Sequence, residues 1–301
     1  LWRHLHAVSA SLVFLIIYIH MLVAIYYGSY KRGREMIWIT GMILFVLFSA
    51  EAFSGYMLPW GQMSYWAAKV ITDLFSKVPF IGPDLVVWIR GNFIPEDATL
   101  TRFFMLHVFL LPLAIMLLIV IHFYSLRVPH VNNQEGESID FEKEVEVYKK
   151  DKKKAKIVAF WPDFLSKDIF VICTFMILVV YLTCFNYGFA MDPINFDPAD
   201  NLKTPAHIYP EWYFLWSYEI LRGFYMSEAL GLIFFGFAQV IFFALPFLDR
   251  SPIVAPAHKR PLFFVWFLVL IVDLIVLTIF GKLPPEGINN YIGFMAAIVF
   301  I

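Results

Sequence analysis

The sequence predicts an all-α, polytopic transmembrane bundle, on three observations. Of the 301 residues, 60% are hydrophobic and only 16% charged, where soluble domains carry about 25% charged residues. Mean hydropathy is +0.71, and the apolar residues fall in long blocks, not in the short alternating runs of strands. The connections between blocks carry Lys and Arg unevenly, as the two faces of a membrane require. The net charge of −1 offers no basic surface for nucleic acid. The two cysteines, Cys173 and Cys184, share one apolar block; they form no CxxCH, zinc or disulfide pattern.

The apolar blocks run at 4–27, 36–57, 103–126, 168–187, 226–248 and 261–280, with a shorter one after 290. Each of the six is near the roughly 20 residues that cross a hydrocarbon core. Lipid offers the backbone no hydrogen-bond partner, so each must be helical. The chain opens on Leu1-Trp2 as the entrance to a helix and closes inside an apolar run, and reads as cut at both ends. The long connection 58–102 is rich in Trp, Phe and Pro. Aromatic residues favour the membrane–water boundary, which predicts interfacial helices lying on one end of the bundle. Connections 28–36, 126–167 and 249–260 carry 15 Lys and Arg, and connections 58–102, 188–222 and 281–290 carry 7. The first set therefore faces inside, and the long aromatic loop is outer. The basic run Lys149–Lys156 is a solvated insertion near anionic lipid.

The first block contains His6 and His20, 14 residues apart, and the third His107 and His122, 15 apart. Both spacings are close to four helical turns, so each pair shares a face and spans about 21–22 Å. An even number of crossings separates the two helices, so they run parallel, with His6 level with His107 and His20 level with His122. A lone histidine in a membrane helix is more often a satisfied interhelical hydrogen bond. Two matched pairs at this spacing are what two stacked haems need, each with two axial imidazoles. Such ligation fills both axial positions and favours electron transfer over oxygen binding. Without CxxCH, both haems b are non-covalent. Gly41 and Gly55 repeat the 14-residue period in the second block; small residues there allow close approach and a haem-contact role.

Four segments carry a family resemblance: Arg3-His4-Leu5-His6-Ala7 through His20 to Tyr26-Tyr27-Gly28-Ser29, Gly55-Tyr56-Met57-Leu58-Pro59-Trp60-Gly61-Gln62-Met63-Ser64, Thr99-Leu100-Thr101-Arg102-Phe103-Phe104, and Thr204-Pro205-Ala206-His207-Ile208-Tyr209-Pro210-Glu211-Trp212-Tyr213. In this order they resemble cytochrome b of the cytochrome bc complexes, the quinol:cytochrome c oxidoreductases. The resemblance divides the chain into a haem-binding N-terminal part, 1–126, whose first family helix would precede Leu1. A charged inner loop, 127–167, and a C-terminal part, 168–301, with the Pro-Glu-Trp-Tyr loop and a shortened last helix, complete it.

The resemblance implies a respiratory reaction: quinol oxidation at an outer site with bifurcated electron transfer. One electron goes to a Rieske iron–sulfur protein, the other through the two haems to a quinone at an inner site, coupled to proton translocation. It implies a c-type cytochrome partner, surrounding membrane lipid and a homodimeric complex. It also implies roles for particular residues. Glu211 would accept the quinol proton, with Tyr213, Tyr56 and Tyr218 shaping that pocket. Asp168 would donate a proton at the inner site, where Arg127 stands in place of the histidine of mitochondrial members. Arg3 and Arg102 would partner haem propionates. The uninterrupted chain with mixed features points to a bacterial inner (cytoplasmic) membrane. Glu51, one turn before Gly55, is either a neutral buried acid hydrogen-bonded to a neighbour or a second proton-handling group near the outer haem or quinol pocket. Two other classes compete: a dihaem b anchor of another quinone-linked oxidoreductase, which needs no Pro-Glu-Trp-Tyr block, and a transporter, which needs no haem.

Overall fold

The computed structural model describes residues 1–31, 33–129, 139–224 and 227–300. Its helices, in chain order, are α1 (Trp2–Tyr27), α2 (Glu35–Met57), α3 (Gln62–Leu74), α4 (Gly82–Arg90), α5 (Asp97–Arg127), α6 (Phe141–Lys150), α7 (Leu165–Phe185), α8 (Leu215–Gly223), α9 (Glu228–Leu248), α10 (Pro261–Lys282) and α11 (Ile288–Phe300). There is no strand among the described residues, and α1, α2, α5, α7, α9 and α10 are the six helices long and apolar enough to span a bilayer. The expected spans reappear with shifted ends. α5 begins at Asp97, six residues before its apolar block, because Glu96 and Thr99 form a reciprocal capping box ahead of it. The charged loop is not all loop: α6 forms within it, its N-terminus capped by the Asp140 carboxylate 3.2 Å from Lys143 N. Residues 130–138 of that loop lie outside the described residues.

The long aromatic connection folds as anticipated into short helices. Arg90, 2% exposed, clamps α4 to α3. It donates to Thr72 Oγ1 at 2.7 Å, to Asp73 Oδ1 at 2.8 Å and to the carbonyls of Lys69 and Phe93 at 2.9 Å. With five N–H donors in a rigid fork, a guanidinium can satisfy this many acceptors at once. The opposite end of the bundle is tied by Asp249. It accepts from Tyr30 Oη at 2.6 Å, Lys31 Nζ at 2.7 Å and Arg260 Nη1 at 3.0 Å. Burial pushes this carboxyl up, but the hydrogen bonds from Lys31 and Tyr30 outweigh it and hold it below the usual range.

The main core lies between α1, α2 and the α8–α11 half, around Ile25, Met42, Phe45, Trp216, Ile220 and Leu277. Lipid is as apolar as these side chains, so close packing and buried hydrogen bonds hold the helices together. Gly281 on α10 lies so close to the Leu215 carbonyl that a Cβ there would collide with it. Trp38 Nε1 donates to the Phe242 carbonyl at 2.7 Å, joining α2 to α9. α7 packs on α1 through Val8, Leu12 and Val179. α5 leaves Val108, Phe109, Leu113, Met116, Leu117 and Val120 exposed, a face suited to lipid.

Candidate functional site

α1 and α5 place the four predicted histidines in two facing pairs. The His6 and His107 ring centroids are 5.9 Å apart, and those of His20 and His122 6.5 Å apart. The unequal sequence spacings are reconciled locally. Residues Leu106–Leu110 of α5 form a π-helical turn, its following Leu111 N–H reaching back to the Leu106 carbonyl. In a regular α-helix, residues 15 apart are about 60° out of phase. A π turn absorbs one extra residue, so the 15-residue spacing acts as 14, matching α1.

α2 sits against both α5 histidines. A Cβ on Gly41 would stand 3.2 Å from His122 Cε1, and one on Gly55 would collide with the His107 ring. The Nδ1 atoms of both rings are engaged from α2. His107 Nδ1 lies 2.9 Å from the Glu51 carbonyl, and His122 Nδ1 3.0 Å from Thr40 Oγ1. His4, two residues before His6, is a different case. It is buried, its ring nitrogens each 3.1 Å from the Thr183 and Phe189 carbonyls, bonding α1 to the end of α7.

The His6–His107 pair lines a cavity of about 350 Å³, shared with Arg3, Glu51, Gly55, Tyr56, Asp192, Glu211 and Tyr213. The Glu211-Trp212-Tyr213 turn comes here because α1 presents partners for it. Trp212 Nε1 donates to Ser11 Oγ at 2.6 Å, Tyr18 Oη donates to the Tyr213 carbonyl at 2.5 Å, and the Tyr213 ring stacks on Phe14 at 4.2 Å. Burial pushes the Glu211 carboxyl up to about 7; Asp192 adds to the rise and Lys282 opposes it. Asp192 accepts from Tyr209 Oη at 2.7 Å, and burial with this bond pushes Tyr209 up to about 12. Asp192 escaped the sequence reading, since Asp192-Pro193 by itself signals only a turn.

Of the other expected residues, Tyr218 and Arg102 do not line this cavity and Arg3 does. Tyr218 Oη donates to the Ile208 carbonyl at 2.9 Å, bracing the approach to Glu211. Arg102 is exposed and donates to the Trp88 carbonyl. Arg3 lines the cavity, its guanidinium 5.3 Å from the Phe196 ring. The second pair, His20 and His122, lines a cavity of about 510 Å³ with Gly41, Val23, Tyr30, Arg34 and Leu126. Asp168, in the first turn of α7, and Arg127, in the last turn of α5, are exposed and do not line it. α7 runs antiparallel to α1, with Val179 against Val8 and Leu12, which puts Asp168 at the His20 end.

Comparison with known proteins accords with this architecture. Residues 11–198 match the family profile Cytochrome b(N-terminal)/b6/petB, and residues 198–301 match Cytochrome b(C-terminal)/b6/petD. Cytochrome b of Rhodobacter capsulatus is 40% identical, over 98% of this chain and 70% of its own length. Cytochrome b of Allochromatium vinosum is 38% identical, over 99% and 73%. Among solved structures, a chain of a hyperthermophilic respiratory Complex III superposes with a TM-score of 0.90 at 36% identity, covering 99% of this chain and 75% of that one. With six apolar spans among the described residues, the protein is a multi-pass membrane protein. It belongs to the cytochrome b family, the haem b-binding core subunits of Complex III-type quinol:cytochrome c oxidoreductases.

Proposed function

We propose that this chain holds two haems b, His6 with His107 at the outer end and His20 with His122 at the inner end, and joins quinol oxidation outside to quinone reduction inside. The observation that carries the reading is one cavity lined by both His6 and His107 and by Glu211. The histidine separations suit the cofactor. A metal–imidazole bond is about 2 Å, so two imidazoles that shared one metal would have ring centres about 6 Å apart. The pairs lie at 5.9 and 6.5 Å. Imidazoles that bind metal through Nε2 ordinarily donate from Nδ1 to an oxygen, and His107 and His122 both have such partners. Two haems bound there would supply one-electron carriers between the two ends of the bundle.

The chain's own side chains handle protons and shape. At the outer cavity a quinol hydroxyl would give its proton to Glu211, which accepts it only as the carboxylate. Asp192, hydrogen-bonded to Tyr209, offers the next acceptor toward solvent. Tyr56 and Tyr213 wall the cavity, Tyr218 braces the loop, and Arg3 supplies a guanidinium for a haem propionate; Arg102 would need to leave the Trp88 carbonyl to do the same. At the inner end, Asp168 and Arg127 would serve the quinone as proton donor and contact at the approach to the cavity. One of the quinol's electrons passes to a Rieske protein, which with a c-type cytochrome completes a homodimeric complex in the lipid bilayer.

Purified complex should contain two haems b per chain by pyridine haemochrome analysis and should retain a Rieske protein and a c-type cytochrome. Absence of haem would support a transporter instead, and two haems without those partners a simpler dihaem anchor. The glycines yield a finer expectation. Gly55→Ala should displace His107 and lower outer-haem content, while Gly41→Ala, at 3.2 Å from its histidine, should keep both haems. Equal haem loss from the two variants would contradict the different clearances.

A further inference from the structure

His107 and His122 occupy equivalent places on α5, yet among the described residues only the His107 Nδ1 faces an ionisable side chain. His122 Nδ1 meets the neutral hydroxyl of Thr40 at 3.0 Å, and its ring also hydrogen-bonds the Ile37 backbone. His107 Nδ1 meets two oxygens of one residue, the Glu51 carbonyl at 2.9 Å and the Glu51 carboxyl Oε1 at 3.1 Å. The second carboxyl oxygen, Oε2, is buried with no hydrogen-bond partner among the described residues. Both side chains are largely enclosed, at 16% and 20% exposure. The helix explains the meeting. Glu51 lies one turn before Gly55 on α2, and Gly55, lacking a Cβ, lets the His107 ring lie against that turn.

This difference has a chemical consequence that rests on the two-haem reading above. A carboxylate is a stronger acceptor than a hydroxyl, and a charge-assisted bond is roughly twice as strong as a neutral one. Low dielectric strengthens it further. An acceptor of this kind draws the Nδ1 proton and makes the imidazole a more basic ligand, one of the ways that groups around a metal's ligands tune the metal. A more basic ligand favours oxidised over reduced iron and lowers the reduction potential. Transfer from the outer end to the inner end runs downhill only if the outer potential is the lower. We propose that Glu51 is a positioning residue for His107: its carbonyl holds the ring and its carboxylate sets the potential of the outer haem below that of the inner one.

The test is a redox titration of the intact complex carrying Glu51→Gln, read in the visible haem bands beside a pyridine haemochrome count. The backbone carbonyl survives the substitution, so two haems should be retained. One of the two midpoints should rise by at least the equivalent of a tenfold shift in equilibrium, about 59 mV for one electron, and the other should stay in place. The electron paramagnetic resonance g values of that one oxidised haem should shift, reporting an altered ligand field. An unmoved midpoint would overturn the proposal. So would a raised midpoint with unchanged g values, which is through-space charge alone and fits Glu51 as a proton-handling group. If Glu51→Gln fails to load the outer haem, Glu51→Ala is read by the same criteria. Failure of both to load makes Glu51 an assembly residue and overturns the tuning role. Absence of two haems from the unsubstituted complex would defeat the two-haem reading itself, a separate outcome.

Discussion

Replacing His107 with Asn is expected to leave the complex with one haem b per chain where there were two, and to abolish electron transfer from the outer end to the inner. The ring pairs with His6 at 5.9 Å, and no third histidine among the described residues lines that cavity. Asn is too short to reach the same point and is a poor ligand for iron, so the site would lose one of the two side chains proposed to hold the haem. The inner pair His20–His122 belongs to a separate cavity and should stay loaded. Pyridine haemochrome analysis should therefore fall by half, and quinol:cytochrome c activity should fall to background. His4→Asn is the matched control. His4 sits on the same helix two residues away, but its ring is spent on the Thr183 and Phe189 carbonyls. That variant should keep both haems and lose only part of the α1–α7 contact. Two haems retained in His107→Asn, or one lost in His4→Asn, would reverse the ligand assignment.

Glu211→Gln should slow quinol oxidation by about 10²-fold or more, the usual contribution of a positioned acid–base group, and should flatten its pH dependence. The sign follows from burial. The carboxyl is pushed up to about 7, so below that pH it is protonated and cannot take the quinol's proton, and above it the carboxylate is available. The native rate should rise through about pH 7 and level off beyond it, while the Gln variant stays low throughout. Haem content should not change, since Glu211 is not among the histidine partners, which separates a chemical defect from an assembly defect. A Gln variant with the native rate and slope would remove Glu211 from the reaction.

Much of the fold was legible in the residues because its rules are short-ranged. Lipid leaves an apolar block no choice but helix, and the positions of His6, His20, His107 and His122 along their helices follow from a fixed rise per residue. The same logic reached Gly41 and Gly55, which share the period. It faltered where local hydrogen bonds override hydropathy. The Glu96–Thr99 box starts α5 ahead of its apolar block, and α6 forms in a stretch whose charge suggests only a solvated loop.

The candidate site was legible in its parts and not in its assembly. Glu211 and Tyr213 stand out by motif, but their place beside His6 depends on Ser11, Phe14 and Tyr18, about 200 positions away in the chain. Asp192 and the Nδ1 partner Thr40 carry no signal of their own, and Glu51 stands out only as an acid within a membrane span whose partner the sequence leaves open; they matter because of what the helices bring against them. Arg102, a guanidinium at the right place in a motif, turned to the Trp88 carbonyl. The sequence by itself thus determined that six helices cross a membrane and that two histidine pairs sit at matching depths, since hydrophobicity and helical period act between near neighbours. Only the tertiary structure decided that a π turn brings the 15-residue spacing into phase, and that one histidine pair meets a carboxylate and the other a hydroxyl. Those outcomes depend on close packing between distant segments, where a single added residue or oxygen changes which atoms touch.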